Sequence, residues 1–270
     1  MAVNATVKIS SPTTRQFWEI PVLFEDEHLL ALNKPPLLLT SPDRHDPRQP
    51  NLISLVHQGI ERGVPWAKER HLIYLMNAHR LDFETSGVLL LAKSKPVLLS
   101  LANLFGSEKI RRTWVALIPG SPTEDSFALE AKIAPNPTKS GQMRVDPKLG
   151  KRAKTEFQVR ERFWGYTLLE CRPVTSRIHQ VRVHLRHLGW PILGDSLYGG
   201  GPLLLSDLKS VYRLKPNKTE RPLISDPALH AEEFSFSHPM TGNSVKINAP
   251  WPKDLAVAIK YLRRFSVENS

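Results

Sequence analysis

The sequence predicts an α+β fold with a mostly antiparallel, mixed sheet flanked by helices and loops. Three observations carry this. Strand-like segments outnumber helical ones, and they follow one another in runs instead of alternating with helices. Apolar residues make up 41% and charged residues 23% of the 270, the balance of a globular chain. At this length a sizeable core can form without covalent staples.

The elements follow in order. Residues 1–19 read as a tail, Ser/Thr-rich and without the apolar core of a secretory signal. Val22–Glu25 and Leu29–Leu32 flank Asp26-Glu27-His28 as a β-hairpin leading into Asn33-Lys34-Pro35-Pro36. Leu52–Ile60 has helical spacing and stops near Gly63 and Pro65. Val88–Ala92 is an unbroken apolar run, expected as a buried strand, and a helix over Val97–Phe105 follows Pro96. Trp114–Ile118, Phe127–Ile133, Thr155–Val159 and Tyr166–Glu170 are strands by pattern. Ile178–Leu188 is a helix with Ile178, Val181, Leu185 and Leu188 on one face. Late strands at Leu229–Phe236 and Val245–Asn248 precede a helix over Leu255–Arg264. Residues 20–265 are expected to form one domain. The Gly-, Pro- and Lys-rich stretch at about 200–227 is read as a long surface loop, a kind that is often functional.

Lys plus Arg number 37 against 26 Asp plus Glu, a net charge of +11 that suits a polyanionic partner. The single cysteine, Cys171, excludes an intrachain disulfide and fits a reducing compartment. No apolar run reaches the ~18 residues of a membrane span. Glycine-rich phosphate loops, dinucleotide fingerprints and His-Glu-x-x-His are absent, and although His184 and His187 stand i, i+3 on one helix, no carboxylate lies nearby in sequence to complete a metal site.

Three stretches carry candidate chemistry. In His79-Arg80-Leu81-Asp82-Phe83-Glu84-Thr85-Ser86-Gly87, polar and charged residues surround Leu81 directly before a buried strand. Asp82 either caps a solvated turn or acts in a cleft as acid, base or nucleophile with Arg80 beside it. Between Cys171 and Gly194 there are four Arg and three His and no acid. Thr175 or Ser176 is a candidate helix cap there, and His179, Arg182 and Arg186 share a face suited to phosphates or to a buried carboxylate. Gly194–Gly199 reads as a tight turn. Finally, Lys139 to Lys154 sets six cations against Asp146 alone, a basic loop able to follow a phosphate backbone.

His79–Ser94 (HRLDFETSGVLLLAKS) resembles the active-site motif of the RluA family of RNA pseudouridine synthases. Other motifs of that family follow in order over about residues 20–255: Asn33-Lys34-Pro35, Gly150–Thr155, the block TSRIHQVRVHLRHLGWPILGDSLYG, and Leu229-His230-Ala231 with His238–Gly242. The resemblance implies isomerisation of uridine to pseudouridine within rRNA or tRNA, with no cofactor and no metal. It implies Asp82 as the catalytic carboxylate and Arg182 as its partner, since an adjacent guanidinium keeps a carboxylate in a closed pocket charged. Arg80 falls where the family places a side chain that fills the stack when the base is flipped. Lys148, Lys151, Arg152, Arg177 and Arg186 are the expected RNA backbone contacts.

Three positions depart from the family pattern. Arg112-Thr113-Trp114 replaces the usual Lys-x-Tyr, so Trp114 takes the base-stacking place without a hydroxyl. Leu37 stands where a glycine is usual, and Thr175-Ser176 replaces Thr-Gly. The extra N-terminal RNA-binding domain of many relatives has no room before residue 20. The resulting expectation is a cytoplasmic, monomeric enzyme with RNA as partner and no membrane or protein partner. The rival readings are a catalytically lapsed RNA-binding protein and an aspartate-dependent nucleoside hydrolase.

Overall fold

The computed structural model describes residues 6–43, 46–209, 212–213 and 219–266. In chain order its elements begin with β1 (Thr6–Ser11), β2 (Gln16–Glu25), β3 (Leu29–Lys34), α1 (Leu52–Glu61), α2 (Pro65–Lys68), β4 (Met76–Asn77), β5 (Ser86–Ala92) and α3 (Lys95–Gly106). They continue with β6 (Arg111–Pro119), β7 (Ser126–Pro135), β8 (Met143–Val145), β9 (Lys151–Phe163), β10 (Tyr166–Pro173), α4 (Gln180–His187), α5 (Leu205–Leu208), β11 (Leu229–Ser237), β12 (Ser244–Asn248) and α6 (Lys253–Phe265). This is the expected α+β class with mostly antiparallel strand pairing.

The chain divides into two compact units. The first comprises Met1–Arg111 and Ala231–Pro250, the second Arg112–His230 and Trp251–Ser270. Each unit closes its own apolar core.

In the first unit the strand order is β1-β2-β3-β5-β11, with β12 on β11 and β4 on β5. All seven residues of β5 are buried, which is why it reads as a continuous apolar run. Its Gly87 has φ +116, and a Cβ there would lie 2.2 Å from the Ala231 carbonyl oxygen, so only glycine lets the backbones approach this closely. Asn51 caps α1, its side chain accepting from the Ser54 N–H at 2.9 Å. The apolar face of α1 packs Leu52 and Val56 into a cluster with Leu30, Leu32 and Leu89. Residues 6–11 are not tail: they pair with 16–21 as an antiparallel hairpin and bury Val7 and Ile9 in that cluster. The alternation of Val7 and Ile9 is the strand signal that the Ser/Thr-rich composition hides. The remainder of the expected tail, residues 1–5, lies outside the described residues.

In the second unit the order is β6-β10-β9-β7-β8, antiparallel throughout. Leu255, Ala258, Ile259 and Leu262 of α6 are buried in its core at the i, i+3, i+4, i+7 spacing of an amphipathic helix. The stretch expected as a surface loop at about 200–227 contributes Leu203, Leu208 and Ile224 to the same core and contains α5. Residues 210–211 and 214–218 of it lie outside the described residues. The basic segment 139–154 is also more ordered than a loop, since it holds β8 and the first turn into β9.

Helix α4 starts at Gln180, two residues later than its periodicity suggests, because His179 adopts φ +53 at the N-cap. Ile178 is consequently 63% exposed and off the apolar face. Thr175 does not cap the helix. Its hydroxyl accepts from the Lys154 N–H at 2.9 Å and donates to Gln180 Oε1 at 2.9 Å.

Candidate active site

The Asp82 loop leaves β4 and enters β5, and its backbone is clamped on both sides of the aspartate. Before it, the Thr40 hydroxyl donates to the Leu81 carbonyl at 3.0 Å and accepts from the Leu81 N–H at 3.2 Å. After it, the Lys34 ammonium donates to the Phe83 carbonyl at 3.3 Å and the Thr85 carbonyl at 2.8 Å. Its third proton goes to the Pro35 carbonyl at 2.7 Å. Lys34 is fully buried, and burial pushes its pKa down from 10.5 to about 7, with the charges of Asp82 and Glu84 opposing the shift. Asp82 itself is half-buried and Arg80 is exposed.

His79 belongs to the scaffold. Its Nε2 accepts from the Leu90 N–H at 3.0 Å, and its ring packs between Phe105 and Phe234 at 5.0 and 4.9 Å. Leu37, where the resembling family carries glycine, has φ +58. The left-handed conformation explains the usual glycine, and a leucine there costs roughly 1–2 kcal/mol.

The second unit presents Arg182 from α4. The guanidinium is 1% exposed and bound by two hydrogen bonds to Asp195, Nε to Oδ2 at 2.7 Å and Nη2 to Oδ1 at 2.8 Å. Asp195 is 0% exposed. Arg182 also lies 5.2 Å from the centre of the Tyr198 ring. The Tyr198 hydroxyl shares a 2.7 Å hydrogen bond with His179 Nδ1 and accepts from the Met143 N–H at 2.9 Å. Asp195 lies in the segment expected as a simple turn, and its pairing with Arg182 was not foreseen from the sequence. Of the three side chains expected to share one face of α4, Arg182 is buried, His179 is tied to Tyr198, and Arg186 alone is exposed.

Arg112 holds the start of the basic block, donating from Nη2 to the carbonyls of Pro173 and Thr175, each at 2.9 Å. His184 accepts or donates at 2.9 Å to Thr155 Oγ1, and burial pushes its pKa down to about 4, which keeps it neutral. Trp114 is half-buried against the core of this unit, and its indole N–H has no acceptor among the described residues.

Lys148, Lys151, Arg152, Arg177 and Arg186 are all exposed. Arg152 is ion-paired with Glu130 at 2.8 Å, and Arg177 donates to the neighbouring Ser176 carbonyl at 2.8 Å. Among the described residues no group of three or more His, Cys, Asp or Glu is placed to hold a metal. Nor is any helix of those residues long and apolar enough to cross a membrane.

Reasoning from sequence missed Lys34, Thr40, Asp195 and Tyr198 as parts of these arrangements. Only Asp195 had a local signal: it is the first acid after the run from Cys171 that carries seven basic or imidazole side chains.

The sequence pattern of the RNA pseudouridylate synthase family matches residues 28–187. The chain belongs to this family, of the RluA type, and is a pseudouridine synthase, an isomerase with RNA as its substrate. More particularly, it is similar to the ribosomal large subunit pseudouridine synthase D of Xanthomonas campestris pv. campestris. The two are 32% identical over 278 residues, 98% of this chain and 76% of the relative. The protein of that name from Escherichia coli (strain K12) is 30% identical over 264 residues, 97% of this chain and 76% of the relative. Among solved structures, human RNA pseudouridylate synthase domain containing 4 superimposes with a TM-score of 0.66 at 23% identity, over 90% of this chain and 92% of that one. That likeness shows the fold.

Proposed function

We propose that the protein isomerises specific uridines of large-subunit ribosomal RNA, with Asp82 as the catalytic carboxylate. The observation that carries the assignment of Asp82 is its double clamp. Thr40 fixes the residue before it and Lys34 the residues after it, so the carboxylate is carried on a backbone held by hydrogen bonds on both sides. Such preorganisation is what a reacting group needs. The names of the relatives from Xanthomonas and Escherichia support the ribosomal target.

In the reaction the N1–C1′ glycosidic bond breaks, the uracil turns, a C5–C1′ bond forms, and the C5 proton leaves as N1 gains one. The balance closes without an oxidant or a co-substrate. Arg80 is proposed to fill the space of the extruded base, and Trp114 to stack on the uracil. Arg182 is bound to Asp195, and a partnership with Asp82 is part of this proposal. Lys148, Lys151, Arg152, Arg177 and Arg186 are the proposed backbone contacts, and a reducing cytoplasm is the proposed setting.

Pseudouridine mapping of ribosomal and transfer RNA with and without the protein tests this reading. The expected result is loss of one or a few pseudouridines in large-subunit ribosomal RNA. Loss confined to transfer RNA overturns the target, and an unchanged map together with no isomerisation of any RNA in vitro overturns the reading.

A further inference from the structure

The second unit contains a recess of about 720 Å³ beside the C-terminal end of α4, apart from the Arg182–Asp195 pair. It is built by a pinned hairpin. The Gln142 amide donates to the Leu197 carbonyl, the Asn136 amide donates to Gln142 Oε1 at 3.3 Å, and the Met143 N–H donates to the Tyr198 hydroxyl at 2.9 Å. These bonds hold the β7–β8 connection against the turn at Ser196–Tyr198, so that the cations of the hairpin stand opposite those of α4.

The recess has two textures. Met143, Val145 and Val183, part of a small apolar cluster, form its floor. Lys139, Arg144, Arg186 and His187 line it, and no carboxylate does. Arg144 is neutralised by Asp146 at 2.7 Å. Lys139, Arg186 and His187 have no acidic partner among the described residues. Arg186 and His187 sit in the last turn of α4, where the helix carbonyls favour cations and hold them in place. Two unneutralised cations, Lys139 and Arg186, with the His187 imidazole beside them, around an apolar floor fit a ligand with an apolar body and more than one negative charge. The volume lies within the ~300–1,000 Å³ typical of small-ligand sites.

We infer that this recess binds one nucleotide of the RNA with its two flanking phosphates. The ribose and base cover Met143, Val145 and Val183, one phosphate meets Arg186 and His187, and the other meets Lys139. Because no carboxylate lines the recess, the nucleotide held there is positioned and not isomerised. The inference rests on RNA being the substrate, and it assigns a second point of grip on that RNA.

The test uses the full chain and a labelled single-stranded oligouridylate, with affinity measured against salt. A Lys139→Gln/Arg186→Gln/His187→Gln variant is expected to bind about tenfold to a hundredfold more weakly. Its slope of log affinity against log salt should be shallower by roughly 0.7 for each phosphate that is no longer neutralised. Arg186→Gln alone should show a smaller change in the same direction. Lys253→Gln/Lys260→Gln on the exposed side of α6 removes charge elsewhere and should leave the slope unchanged. Wild-type affinity and slope in the triple variant, or an equal loss in the α6 variant, overturn the recess. So does uridine monophosphate binding as tightly as the oligonucleotide, which makes the recess a small-ligand site. Isomerisation by the wild type is scored separately, so its failure removes the enzymatic reading while the binding arms still decide the recess.

Discussion

Lys34 in the first unit and Arg182 in the second are both cations withdrawn from water, and the protein compensates them in opposite ways. Lys34 receives three carbonyl dipoles and no direct carboxylate, and burial brings its pKa to about 7. Arg182 receives a carboxylate through two parallel hydrogen bonds, with Asp195 as buried as itself. Dipoles replace hydration only in part, whereas a bidentate counter-charge in a dry site is a far stronger partner. The Asp82 loop thus hangs on a clamp that neutral pH can loosen, and the basic helix is fixed by a buried bidentate ion pair.

The largest effect is expected at the group that the first clamp presents. Asp82→Asn should abolish isomerisation and leave RNA affinity within about tenfold, or ~1.4 kcal/mol. The fold should hold, because Thr40 and Lys34 bind the backbone at Leu81, Phe83 and Thr85 and not the carboxylate. Full activity in the Asn variant removes Asp82 from the chemistry.

The second clamp is tested by Arg182→Met. Removing one member of a buried pair costs ~3–5 kcal/mol, because Asp195 is left charged without its partner. For a chain of this size that is a fall of roughly 6–20 °C in melting temperature. Adding Asp195→Leu should recover much of the loss. An unchanged melting temperature with turnover lost assigns Arg182 to the reaction and not to the scaffold.

Lys34→Met sharpens the contrast. The carbonyls of Pro35, Phe83 and Thr85 lose a donor, each worth ~1 kcal/mol net, but the cost of burying an ammonium disappears as well. Melting temperature should move little, and turnover should fall about tenfold to a hundredfold as the loop shifts. The pH dependence has a definite sign. Between about 7 and the ordinary 10.5 the unfolded chain holds a proton that the folded chain has lost. The stability contributed by this group therefore rises with pH across that window, and its penalty is complete below about 7. Turnover runs the other way, because a neutral amine has two N–H donors for three carbonyls. The wild type should lose kcat/KM on the alkaline side with an apparent pKa near 7. A pH profile in which Lys34→Met keeps the same limb assigns that limb to another group.

The same comparison shows what a sequence discloses. The strands were legible because Val88–Ala92 and its neighbours are apolar runs whose length and order need no partner to be recognised. His79–Gly87 was legible as a functional loop because its polar residues abut such a run. Lys34 was legible only as part of a motif, since its acceptors at Phe83 and Thr85 lie 49 and 51 residues away and no local pattern links them. Asp195, 13 residues from Arg182, stands beyond the end of α4, where helical spacing says nothing. The late start of α4 was hidden for a similar reason. Ile178 completes an apolar stripe by spacing alone, and the positive φ of His179 breaks the helix before the stripe can use it. Leu37 is the reverse case: the position where a glycine is usual has a left-handed backbone, φ +58, which the leucine adopts all the same.

The last of the four effects, of the same size in turnover as that at Lys34, concerns Trp114, which stands where the family usually has a tyrosine. The indole packs against the core of the second unit, and its N–H finds no protein acceptor among the described residues. A buried donor without an acceptor costs ~1–3 kcal/mol in the free protein. Base–aromatic stacking contributes ~1–3 kcal/mol by alanine substitution, so Trp114→Ala should lower turnover about tenfold to a hundredfold. Trp114→Tyr keeps an aromatic face and should remain active. Trp114→Phe separates the two contributions, since it keeps a stacking face and loses the donor. A Phe variant as active as the wild type leaves stacking alone, and one as weak as Ala gives the role to the N–H. If Trp114→Ala lowers the melting temperature and leaves turnover at saturating RNA unchanged, the side chain only fills the core at the start of β6, as aromatic residues in strands often do.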